Sequence, residues 1–159
     1  MIAVLSSRQI ALFVLAASAI ALASAFTAEY GFGLRPCVLC LTQRVPFVIA
    51  GALAAAVLLP RGGRWGRGLL ALAGLAFLVN SGIAVYHVGV EQKWWASSCA
   101  PAAAAPLDDL SAAMSKPVEV RCDEPAWQWN GISMAALNIV FSGGLALVTL
   151  SLVRRMEPK

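Results

Sequence analysis

Arg35-Pro36-Cys37-Val38-Leu39-Cys40-Leu41-Thr42-Gln43-Arg44 lies between two long apolar runs, which places it at a membrane surface. Its cysteines are three apart. With Pro36 as the first helical position, where a missing N–H costs nothing, Cys37, Cys40 and Arg44 fall at i, i+3 and i+7 on one helix face. Arg44 then lies about 6 Å along the axis beyond Cys40. Cys-x-x-Cys has three common chemistries: a redox dithiol, half of a zinc site, and haem attachment. Haem attachment wants His directly after the second Cys, and Leu41 stands there. A structural zinc site draws on a second close pair, whereas Cys99 and Cys122 are far apart in sequence. The redox dithiol is the favoured reading, because a helix N-terminus and a nearby guanidinium both favour the reactive thiolate.

The flanking runs set the class. Of 159 residues, 60% are hydrophobic and 13% charged, with mean hydropathy +0.77. A soluble domain of this length cannot hide so much apolar surface, so the chain is expected to be an all-α integral membrane protein. Its basic residues sit at the ends of apolar runs, a distribution that does not suggest nucleic acid. The runs predict spans at about 10–28, 44–59, 69–86 and 134–153. Together they form one four-span membrane domain over residues 1–159, a four-transmembrane-helix bundle. The first run also reads as a cleaved leader, with Arg8 ahead of it and Ala23-Ser24-Ala25 as a small-residue site. Pro46 either kinks the second span or starts it. Asn80, Ser81 and Gly82 suit close packing of the third span against a neighbour.

Arginine positions orient the bundle. Arg8, Arg61, Arg64, Arg67, Arg154, Arg155 and Lys159 all fall on one side, and short basic loops stay in the cytoplasm. Both termini are therefore expected to be cytoplasmic. Two outer loops, about 29–43 and 87–133, then carry all four cysteines into the compartment where disulfides persist. In the long second loop, Trp94, Trp95, Trp127 and Trp129 suit the headgroup layer. Leu107, Leu110 and Met114 predict a short amphipathic helix with Asp108 and Asp109 on its polar side. It either lies flat on the membrane or is simply a loop helix. Cys99 and Cys122 are either a structural staple or an exchanging disulfide, which needs only an accessible sulfur and an attacking thiolate. His87, the sole histidine, is either an inert interfacial residue or a hydrogen-bonding group at the site. Glu91 is its helical neighbour if the third span continues that far.

Pro36-Cys37-Val38-Leu39-Cys40 with Arg44, Tyr86-His87 after the third span, Cys99 and Cys122 in the second outer loop, and four spans resemble the disulfide bond formation protein B (DsbB) family over essentially the whole chain. The resemblance implies a bacterial inner-membrane protein-dithiol:quinone oxidoreductase that reoxidises a periplasmic thiol oxidase of thioredoxin fold (DsbA-like). Electrons would pass from that partner to the Cys99–Cys122 disulfide, then to Cys37–Cys40, then to ubiquinone or menaquinone in the lipid bilayer. It further implies that Cys99 takes the mixed disulfide with the partner and that Cys40 faces the quinone. Arg44 would sit on a quinone oxygen, with His87 a second quinone-binding candidate. Two departures bear on the quinone geometry: Gln43 stands where some relatives have a carboxylate, and Pro46 is not a fixed family feature. The rival reading is a non-enzymatic tetraspan protein whose outer cysteines are staples or metal ligands.

Overall fold

The computed structural model describes residues 6–60, 62–95 and 120–156. Ser6 opens the first helix, α1 (Ser7–Phe26), with a capping box: its hydroxyl accepts from Gln9 N at 3.3 Å, and Gln9 Oε1 accepts from Ser6 N at 2.9 Å. The helix widens at its end into a π-turn, Thr27–Gly31, closed by Phe32 N donating to Thr27 O at 3.2 Å. Such turns insert a residue into the helical register and are frequent at functional sites. Here the π-turn carries Glu29.

The second span is two helices. Cys37 caps α2 (Val38–Thr42), and α3 (Arg44–Leu58) follows after a break at Gln43. Pro36 thus lies outside the helix and does not open it. The break follows from Pro46, which sits in the first turn of α3 and has no N–H for the Thr42 carbonyl. Pro46 therefore belongs to the start of α3. A 3₁₀ turn (Gly62–Trp65) leads into α4 (Gly66–Glu91), which extends five residues beyond the predicted end at Tyr86. His87 and Glu91, expected in or near the outer loop, are helical. The last helix, α5, spans Met134–Arg155.

All four spans are long and apolar enough to cross a membrane. The chain is a four-helix, multi-pass membrane protein. α4 packs between α3 and α5, and α1 packs on α3. Ile10, Val14, Phe47, Leu70 and Phe77 meet in the bundle core. Leu12, Leu72, Val79, Val140 and Leu147 face outward, as a lipid-facing surface requires.

At one end of the bundle, Gln128–Trp129 pairs with Ile132–Ser133 around Asn130-Gly131. Both turn residues have positive φ, 49° and 81°, which is the Asn-Gly signature of a two-residue hairpin. Asn130-Gly131 carries this signal in the sequence, beside a Trp129 that by itself reads as an interfacial anchor. The hairpin delivers Ser133 as N-cap of α5, accepting from Ala136 N at 3.2 Å. Trp95 folds back on α4, where its indole N–H donates to Tyr86 O at 3.1 Å and its ring stacks on Tyr86. It occupies the space a side chain at Gly89 would need. The helix expected around Leu107, Leu110 and Met114 falls outside the described residues, as does Cys99.

Candidate functional site

The ends of α1, α4 and the α2–α3 junction converge with the start of α5. As the N-cap of α2, Cys37 accepts from Cys40 N at 3.3 Å. Its Sγ lies 2.9 Å from Cys40 Sγ and 3.6 Å from His87 Nε2. Both cysteines are free, Cys37 buried and Cys40 partly so. Their sulfurs and the His87 ring nitrogen lie within 4.8 Å of one another, three soft ligands where a closed zinc site takes four.

The two thiols differ in what they reach. Cys37 shares a buried cluster with Val90 and Cys122, against which the partly buried Cys40 also packs, and Cys122 is itself disulfide-bonded. Cys40 in addition lines a cavity of about 560 Å³, together with Arg44, Glu29, Gln43, Phe47 and Phe141. Cys37 does not line that cavity. The one helix face expected for Cys37, Cys40 and Arg44 is therefore divided. Ending α2 at Gln43 keeps Cys40 and Arg44 on the cavity and leaves Cys37, outside the helix, toward Cys122.

Cys37 is acidified. The hydrogen bond from Cys40 lowers its pKa most; burial opposes this, and His87 and the Cys40 backbone N–H lower it further, to about 4. A depressed thiol pKa stabilises the fold above the unfolded thiol's value, and this stability is lost as pH falls through the folded value. In the reduced protein, thiolate ultraviolet absorption is expected to persist from neutral pH down to about pH 4 and to disappear below it. A midpoint in the ordinary thiol range would show that the Cys40 and His87 contacts do not form in solution.

Arg44 is paired within the bundle. Its Nη1 donates to Glu29 Oε2 at 2.6 Å, and its guanidinium lies 5.0 Å from the centroid of the Phe26 ring. His87 is buried. Its Nδ1 meets Gln43 Nε2 at 2.8 Å, and its Nε2 lies 3.7 Å from Glu91 Oε1. Glu91 also accepts from Ser133 Oγ at 2.5 Å. The polar chain continues inward, from Gln43 to Asn138 at 2.5 Å and from Asn138 to Ser142 at 2.8 Å.

Glu29 and Asn138 escaped the sequence reading. Glu29 was taken for a loop residue, and Asn138 lay unremarked within the last span. A polar side chain inside a span is by default a functional candidate, and that rule would have found Asn138.

The family profile described as "Disulfide bond formation protein DsbB" matches residues 7–152. The chain belongs to the DsbB family. Relatives named "Disulfide bond formation protein B" agree. The one from Xanthomonas campestris pv. campestris (strain 8004) is 38% identical, with 79% of this chain and 78% of the relative covered. The one from Pasteurella multocida (strain Pm70) is 31% identical, with 98% and 93% covered. No solved structure matches the chain. The DsbB resemblance drawn from the cysteine spacing and span order is thus borne out.

Proposed function

We propose that the chain is one four-span inner-membrane unit that reoxidises a periplasmic thioredoxin-fold dithiol, DsbA-like in kind, and passes the electrons to a membrane quinone. The observation that carries this reading is that one thiol pair adjoins both the buried cluster of disulfide-bonded Cys122, where Cys37 lies, and an apolar cavity, which Cys40 lines. A staple or a metal site has no need of both neighbours.

The cavity fits a quinone. At about 560 Å³ it falls within the usual range for small-molecule sites, which are mostly apolar with a few placed polar groups. Those groups here are Arg44, Gln43, Asn138 and His87. A quinone supplies a lipid-soluble acceptor for two electrons and two protons. The chain's own residues do the rest. The partner's thiolate attacks Cys99 and releases Cys122. Cys122 then attacks Cys37 of the Cys37–Cys40 disulfide, and Cys40 leaves on the cavity side. The partner's second thiolate resolves the mixed disulfide and frees Cys99, and Cys99 then attacks Cys122 and releases Cys37; each exchange breaks one S–S bond and forms another. Closing Cys37–Cys40 again gives up two electrons. Only Cys40 then brings a thiol proton, since Cys37 is a thiolate at neutral pH; the second proton comes from solution. Arg44 binds and orients the acceptor.

The test is quinone reduction by the purified protein with a reduced thioredoxin-fold dithiol as donor. Turnover that needs both Cys37 and Cys40 is expected; a pair that stays oxidised whether quinone is added or withdrawn would favour the staple. The order of exchange has its own test. Cys122→Ser should trap the partner on Cys99, and a trapped species that survives Cys99→Ser but needs Cys37 would reverse the order. The arginine distribution puts the cysteines outside. An impermeant thiol reagent added to intact cells after reduction should therefore label Cys99. Labelling only after the inner membrane is broken would overturn this orientation and the function built on it.

A further inference from the structure

We propose that Gln43, oriented through Asn138, Ser142 and Asn80, fixes His87 as its Nε2–H tautomer and so aims a ring N–H at Cys37. A neutral imidazole has one donor nitrogen and one acceptor nitrogen, and the bond made by one decides the role of the other. The chain of bonds has a direction. Asn80 Nδ2 donates to Ser142 Oγ at 2.9 Å, and Ser142 Oγ donates to Asn138 Oδ1 at 2.8 Å. Asn138 Nδ2 donates to Gln43 Oε1 at 2.5 Å, which leaves Gln43 Nε2 to donate to His87 Nδ1 at 2.8 Å. Nδ1 accepts, so Nε2 carries the proton.

The opposite direction is internally consistent too, with every amide turned over. Two observations decide between them. In the first direction the group left over at the buried end is Asn80 Oδ1, which has no partner among the described residues. Reversal would instead orphan the buried Asn80 amide N–H groups, and orphan donors are rarer than under-satisfied oxygens. At the other end, Cys37 Sγ at 3.6 Å and Glu91 Oε1 at 3.7 Å face Nε2, and a thiolate or a carboxylate there can only accept. The titratable groups around this nitrogen are Cys37 and Cys40 from the α2 end and Glu91 from α4. Arg121 and Glu124 line, with Cys37, Cys40, His87 and Glu91, a second and smaller cavity. Gln43, Asn138, Ser142 and Asn80 are thus positioning residues, acting on the thiolate through the ring. Reading His87 as the donor to Cys37 rests on the proposed thiol relay for its purpose, but the tautomer does not depend on it.

The chain has a single histidine, so ring-¹⁵N NMR of the full-length reduced protein reads this tautomer without ambiguity. The measurement uses neither quinone nor partner, so its failure and that of the relay reading are separable. Wild type should show Nε2–H. Gln43→Glu has the same shape but only acceptors, so it should reverse the ring to Nδ1–H while still accepting from Asn138. Asn138→Leu, one link removed, should give a mixture. The thiolate titration of Cys37 should move up by about one pH unit or more in Gln43→Glu, as expected for losing a hydrogen bond to a charged group. A change that merely loosened packing would not reverse a tautomer. Nδ1–H or an even mixture in wild type, or Nε2–H retained in Gln43→Glu, would overturn the proposal.

Discussion

Cys40→Ser is expected to abolish quinone reduction while leaving Cys37 able to form a disulfide with the loop. The expectation follows from the cavity. Both thiols adjoin the buried Cys122 cluster, Cys37 as a member and Cys40 packed against it, but of the two only Cys40 lines the large cavity. Without Cys40 the Cys37 thiolate has no partner with which to close, so electrons arriving from the loop have no exit. Turnover should fall to the uncatalysed background, and a mixed disulfide between Cys37 and Cys122 should accumulate, visible by non-reducing electrophoresis and peptide mass mapping. Cys37→Ser should be equally inactive but should accumulate no such species. If the two variants trap the loop equally well, the division of labour between the thiols is wrong.

Arg44→Ala carries the second large effect, and Glu29 complicates how it must be read. Arg44 and Glu29 are paired at 2.6 Å, with side chains only 15% and 22% exposed. A hydrogen bond from a charged group contributes about 1.5–3 kcal/mol, so losing the guanidinium should raise the quinone KM about 10- to 150-fold. Exchange between the partner and Cys99 should be unaffected. Arg44→Lys keeps the charge without the planar fork and should be intermediate. Arg44→Ala also strands the Glu29 carboxylate at the cavity wall, and breaking such a pair costs up to about 3 kcal/mol of stability. The double variant Arg44→Ala with Glu29→Gln separates these effects: it should recover thermal stability and keep the raised KM. Recovery of both would make Arg44 a structural anchor and send the search for the quinone contact to His87.

Most of the fold was legible, because spans in lipid must be long, apolar and closed by their own backbone bonds. Runs of that kind are visible residue by residue, and all four were placed within a few positions. The errors lie at the ends. Tyr86 was taken as the end of the third span because His87 and Glu91 are polar, yet α4 continues through both. They pair with Gln43, Cys37 and Ser133 instead of with water. Of the site, the cysteines and Arg44 could be singled out since their chemistry is local and their spacing short. The Glu29–Arg44 pair and the Gln43–Asn138 bond join residues 15 and 95 apart in sequence. Contacts of that range arise only once helices pack, and no periodicity announces them.

One end of the bundle holds the described groups that the proposed reaction uses: the Cys37–Cys40 pair at the head of α2, Cys122 beside it, and the cavity under the end of α1 and the start of α5. This bears on energetics. A transmembrane potential does work of about 2.3 kcal/mol per elementary charge per 100 mV, and only on charge that crosses the bilayer. In the proposed reaction two electrons and two protons would reach the same cavity from the same side, so none would cross. Such a cycle would be electroneutral, neither drawing on the membrane potential nor adding to it, and collapsing that potential with an ionophore should leave its rate unchanged.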